Sequence, residues 1–205
     1  MTTTSSAVNT TALKDRVMKI LTDPKKEWPV IEAEHTDVAR LYREYIAILA
    51  AIPAVGSFIG LSIVGITVPL VGTYRFGFVS GVANMIVTYV LTLVGCYVAA
   101  LVVEKMAPTF QSRPDFIQAL KLVAYASTPA WLAGVLNIIP ALAVLGIVAG
   151  LYAIYLFYLG VPVLMKTPQD KVIPYMAIAA IVVIVVTFLV NVVARMIVGG
   201  PSLLP

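Results

Sequence analysis

The sequence predicts an all-α integral membrane protein, a bundle of about five transmembrane helices with an N-terminal amphipathic helix. Three observations carry that reading. Hydrophobic residues make up 60% of the chain and charged residues 12%, where a soluble domain carries roughly 25% charge. From Leu122 to Met165 no side chain is charged, and one helical crossing of a ~30 Å hydrocarbon core needs only about half that length. Comparable uncharged runs extend from Tyr45 to Tyr74, Phe76 to Val103 and Val172 to Ala194.

Residues 1–44 read as a cytoplasmic N-terminal region, 45–199 as the membrane domain and 200–205 as a short tail. The opening Met1-Thr2-Thr3-Thr4-Ser5-Ser6 lacks the basic and apolar regions of a signal peptide, so no cleavage is expected. Leu13, Val17, Ile20 and Leu21 recur at helical spacing, with Lys14, Asp15, Arg16 and Lys19 on the other side. Such a helix either lies in the headgroup region against anionic lipid or packs on the cytoplasmic end of the bundle. Asp23-Pro24 ends it, and Lys25, Lys26 and Trp28 read as interfacial anchors.

The segment Glu27 to His35 holds the only histidine, with Glu32, Glu34 and Asp37 nearby. A metal site needs a ligand register that these acids lack, and there is no second histidine. The expectation is a solvated acidic strip paired with neighbouring Lys and Arg, with no metal and no cofactor. Thr36 is the expected N-cap of a helix whose apolar positions Val38, Leu41, Tyr42 and Tyr45 lead into the first span.

Spans are expected near 45–71, 78–103, 117–137, 140–165 and 173–197. Asn137-Ile138-Ile139-Pro140 is the expected turn inside the longest run, since proline resists helix continuation and asparagine tolerates turns. Pro53 and Pro69 interrupt the first span, Pro129 the third, Pro162 the end of the fourth and Pro174 the start of the fifth. Gly56/Gly60, Gly77/Gly81 and Gly146/Gly150 are small-residue pairs suited to tight contacts within the bundle first and between copies of the chain second. Asn84, Thr88, Thr92, Asn137, Thr187, Asn191 and Arg195 are expected to face partners, turns or an interface, because unpartnered polar groups are costly in hydrocarbon. Tyr152, Tyr155 and Tyr158 approximate one face of the fourth span, suited to packing or to hydrogen bonds between helices.

Twelve of the fourteen Lys and Arg fall on one side under an alternating topology, with Arg75 and Arg195 opposite. The positive-inside rule then places the N-terminus in the cytoplasm and the C-terminus outside. Topology explains the net charge of +4, and no nucleic-acid partner is expected. Cys96 is the single cysteine, which excludes an intramolecular disulfide. No HExxH, GxSxG or P-loop occurs. Ser57, Ser62, Ser80 and Ser127 lack an intramembrane His or Lys to activate a nucleophile, so an enzyme is not expected.

Three segments resemble the Yip family of multi-span membrane proteins, whose eukaryotic members interact with Rab-type GTPases. They are Glu27-Trp28-Pro29-Val30-Ile31-Glu32-Ala33-Glu34 with Ala50-Ala51-Ile52-Pro53 and Phe58-Ile59-Gly60, then Ala124-Tyr125-Ala126-Ser127-Thr128-Pro129, then Tyr155 through Gly160-Val161-Pro162 to Lys166. The resemblance implies five spans and a cytoplasmic N-terminus. It marks Trp28, Glu34, Tyr125, Pro129, Tyr155, Tyr158, Gly160, Pro162 and Lys166 as family-motif or interface candidates. The chain lacks the long polar N-terminal domain of the eukaryotic members and is similar to the short bacterial ones, which implies a bacterial inner membrane. The expected role is non-enzymatic, organising membrane or recruiting a partner at the cytoplasmic face. Anionic lipid at the basic helix is the expected contact, and the protein partner is open. The alternative is a small channel or carrier using the proline-broken spans.

Overall fold

The computed structural model describes residues 10–68, 72–75 and 77–198. Pro69 and the tail 200–205 lie outside the described residues, as do the side chains of Thr187, Asn191 and Arg195. Two short helices come first, α1 (Thr10–Thr22) and α2 (Pro24–Ala33). Pro24 opens α2, where its missing N–H is no loss because a first-turn amide has no intrahelical partner.

Five helices long and apolar enough to cross a membrane follow: Val38–Val64, Phe78–Phe110, Phe116–Ile138, Gly146–Leu164 and the long helix Gln169–Val198. The fold is that of an all-α membrane protein. The exposed side chains of the fourth and fifth spans are largely apolar, among them Ile147, Val148, Leu151, Ile181, Ile184 and Phe188. An aqueous surface would not tolerate so continuous an apolar face.

The first span begins at Val38, ahead of the uncharged run that starts at Tyr45. The lack of charge marks where hydrocarbon begins, whereas the helix extends beyond it through Arg40, Arg43 and Glu44. Asp37, and not Thr36, is the cap: its Oδ1 accepts from Arg40 N at 2.8 Å. A carboxylate there also meets the positive end of the helix dipole. The span ends at Val64 rather than near residue 71, because Gly65 takes φ 86° and turns the chain. Beyond it Ile66–Val68 pairs antiparallel with Gly72–Tyr74. Pro53 lies within the α-helical Ala47–Phe58, which is flanked by π-helical turns at Tyr42–Ile46 and Ile59–Val64.

The third span is broken. Phe116–Ala126 stops at Ser127, Thr128–Ala133 resumes with Pro129 in its first turn, and Gly134–Ile138 tightens to a 3-10 helix. This last segment lies directly on the first span: a Cβ on Gly134 would stand 2.4 Å from Pro53 Cβ. Reciprocally, a Cβ on Gly56 would stand 2.3 Å from the Gly134 carbonyl oxygen. Only glycine permits that approach of two backbones. Gly81 sits similarly against Ser62, but Gly77, Gly146 and Gly150 have nothing within 4 Å of a Cβ position. The expectation of tight bundle contacts is therefore corrected for those three, which lie at the beginnings of their spans. The reversal centres on Ile139, which is extended, and Pro140–Leu145 forms a further 3-10 segment. The fourth helix thus starts at Gly146 instead of residue 140.

The fifth span packs along the second, and the third and fourth pack together. At the face carrying α1 and α2, the connectors are knitted to one another. Ser112 Oγ and Thr167 Oγ1 share a hydrogen bond of 2.8 Å, Arg113 N donates to Met165 O at 2.7 Å, and Phe110 stacks on Tyr175.

Candidate functional site at the N-terminal face

Sequence places Trp28 in the middle of α2, and packing carries it into the bundle. The side chain is fully buried, so its role as an interfacial anchor is corrected. Its ring lies over Gly160 of the fourth span, where a Cβ would stand 2.8 Å from Trp28 Cζ2 and 2.6 Å from Leu122 Cδ1. It meets Tyr125 edge-on at 6.5 Å between centroids, and Tyr125 in turn contacts Tyr45 at 4.4 Å. The indole N–H has no acceptor among the described residues, so packing rather than hydrogen bonding holds it. Tyr45 closes the stack by sharing a 2.7 Å hydrogen bond with Thr128, beside Pro129 at the break of the third span.

Charged groups bind the same assembly from above. Arg16 on α1 donates to Glu27 and to Glu34, each at 2.5 Å, and lies 5.9 Å from the Tyr125 ring centroid. Glu27 is buried, which corrects the picture of a wholly solvated acidic strip. The pairing with basic residues is present: Lys166 meets Glu32 at 3.0 Å, and Arg40 meets Glu44 at 2.9 Å. Lys121, buried at the start of the third span, donates to Ile31 O at 2.8 Å and Glu34 O at 2.5 Å. Those carbonyls end α2 and have no intrahelical donor, so the ammonium satisfies them and meets the negative end of the dipole. Lys166 can reach Glu32 because it adopts φ 53° just past the fourth helix.

At the turn between α1 and α2, Lys26 donates to Asp23 at 2.6 Å. That bond holds the Asp23 carboxyl below its ordinary range and raises Lys26 above its own. Tyr152 donates to Leu21 O at 2.6 Å and so ties the fourth span to α1, whose Ile20 is buried.

Among the sequence candidates, Trp28, Glu34, Tyr125, Pro129 and Gly160 gather at this site, and Lys166 joins through Glu32. Pro162 lies half-buried in the last turn of the fourth helix, while Tyr155 and Tyr158 are exposed away from the stack. A polar groove of about 360 Å³ remains beside Arg16, Glu34, Arg40, Glu44 and Tyr125. Arg16, Glu27 and Lys121 were not singled out as site residues from sequence. Lys121 carried a usable signal: an ammonium bordering a long uncharged run must find partners in the fold.

The Yip1 domain family model matches residues 18–190. The chain belongs to the Yip family. The matched region contains Trp28, Glu34, Tyr125, Pro129 and Gly160, the residues that α2 and the third and fourth spans bring together. The chain is 27% identical to inner membrane protein YohC of Escherichia coli K12 over 158 residues, which cover 76% of this chain and 81% of that protein. YohC of E. coli O6:H1 strain CFT073 matches equally. No solved structure matches significantly.

Proposed function

We propose that this Yip-family protein is a non-enzymatic organiser of a bacterial inner membrane, acting through a rigid cytoplasmic face built by α1 and α2, with its C-terminus outside. The observation that carries the reading is that Trp28, Arg16 and Lys121 lock this helix pair onto the bundle, so its outer surface has a defined geometry. That surface exposes Lys14, Lys19, Lys25 and Lys26 together with the apolar Met18 and Val30. Cations beside apolar side chains suit anionic headgroups at the edge of the hydrocarbon, at about 1 kcal/mol for each basic residue near the surface. The location follows YohC, named an inner membrane protein, and the orientation follows the concentration of Lys and Arg on the α1–α2 side. The polar groove beside Arg16 and Arg40 is the natural place for a protein partner to add contacts.

The test is vesicle shape. In vesicles containing phosphatidylglycerol the reconstituted protein is expected to alter size or curvature by electron microscopy. The combined variant Lys14→Glu, Lys19→Glu and Lys25→Glu should lose that effect while keeping its thermal stability. An undiminished effect in the variant would contradict the proposal.

A further inference from the structure

Between the first, second, third and fifth spans lies a half-open cavity of about 410 Å³, separate from the N-terminal site. The sequence leaves it unfilled, because Ala54, Ser57, Gly95 and Ala99 supply little side-chain volume where the spans meet. Along the second span it runs from Thr88 to Ala99, ~16 Å at the helical rise and so about half of a ~30 Å hydrocarbon core. A slot of this length and volume has the proportions of a ligand pocket.

Its two ends differ chemically. Toward the β-hairpin, Asn137 Nδ2 donates to Ser57 Oγ at 3.1 Å. That bond uses one of the two amide protons and leaves the accepting capacity of the carboxamide oxygen and the proton of the serine hydroxyl for another molecule. Toward the N-terminal face the lining is Cys96, Ala99 and Val123. The hydroxyls of Ser127 and Thr92 turn back onto their own helices, to Val123 O at 2.7 Å and Thr88 O at 2.8 Å. Among the described residues no carboxylate, ammonium or guanidinium lines the cavity, so an ionic ligand would sit unpaired against them in hydrocarbon at a cost of several kcal/mol. A small hydrophilic solute would likewise find no partner at the apolar end.

We propose that this cavity binds an uncharged, single-chain amphiphile drawn from the bilayer, its hydroxyl or ester head hydrogen-bonded to Asn137 and Ser57 and its chain lying along the second span toward Cys96 and Ala99. Binding there is independent of the headgroup contacts proposed for α1 and α2.

Trp131 lines the cavity and serves as its reporter. Protein in nanodiscs is titrated with a monoacylglycerol brominated along its chain, and quenching is referred to the Trp131→Phe variant. The expected result is saturable quenching of Trp131, relieved by excess unbrominated monoacylglycerol. A lysophosphatidic acid and an alkane with the same brominated chain should quench only in proportion to their membrane concentration. Asn137→Ala and the milder Ser57→Ala should each weaken binding about threefold to tenfold, the worth of one buried hydrogen bond. Equal saturable quenching by the charged lipid or by the alkane would overturn the proposal, as would quenching that unbrominated monoacylglycerol leaves unrelieved. These readings on the wild-type protein decide the matter even where a variant fails to fold.

Discussion

Replacing Gly160 by leucine is expected to expel Trp28 from the bundle and to release α2 from the fourth span. Even the first added carbon would stand 2.6 Å from Leu122 Cδ1 and 2.8 Å from Trp28 Cζ2, and the rest of a leucine has no space to enter. The loss should approach about 3–5 kcal/mol, the range for removing a large aromatic side chain from a core. Gly160→Ala should cost less, because the nearest atoms belong to side chains that can shift. The chain has two tryptophans, so Trp131→Phe isolates the emission of Trp28. In that background Gly160→Leu should move the emission maximum to the red, and an unchanged spectrum would mean that the indole does not lie over Gly160.

Arg16→Met is the second large effect. It leaves Glu27 charged and buried, with a side-chain exposure of 8%, and removes the link from α1 to Glu34. Breaking a fully buried pair costs about 3–5 kcal/mol; because Arg16 is 20% exposed, water reduces the expected loss to about 2–3 kcal/mol. Denaturant unfolding in detergent micelles should show the loss, and adding Glu27→Leu should recover part of it by removing the orphaned carboxylate. Arg40→Ala supplies the contrast. Its pair with Glu44 is solvent-exposed on both sides, and its removal should change stability by less than about 0.5 kcal/mol. Equal losses for Arg16 and Arg40 would remove the distinction between the site and an ordinary charged surface.

How much of this was legible in sequence depended on whether the determining interaction was local. The five apolar segments followed from lack of charge, since each crossing meets the same solvent whatever its neighbours. Helix ends were harder. Val38 begins seven residues before the uncharged run, because the Asp37 cap starts the helix in the polar region ahead of the hydrocarbon, and Gly65 ends the first span through its own φ while apolar residues continue beyond it. Trp28 illustrates a different limit. Beside Lys25 and Lys26 it has the local pattern of an interfacial indole, and only the notch at Gly160, more than a hundred residues away, turns it inward. The family motifs marked both residues without saying that they touch. Gly146 and Gly150 show the converse, since spacing alone does not reveal whether a second helix lies opposite. The mid-span cavity was least legible. It arises where small residues of the first and second spans meet the third and fifth, and no single stretch records that coincidence.

The central claim is that α2 is an integral part of the membrane bundle. Hydrogen–deuterium exchange of the wild-type protein in nanodiscs tests it most directly. Amides within Pro24–Ala33 are predicted to exchange as slowly as those of Phe116–Ala126, against which Trp28 packs and whose Lys121 holds the end of α2. Exchange of α2 at the rate of a solvated, unpacked helix, with Phe116–Ala126 still protected, would contradict it.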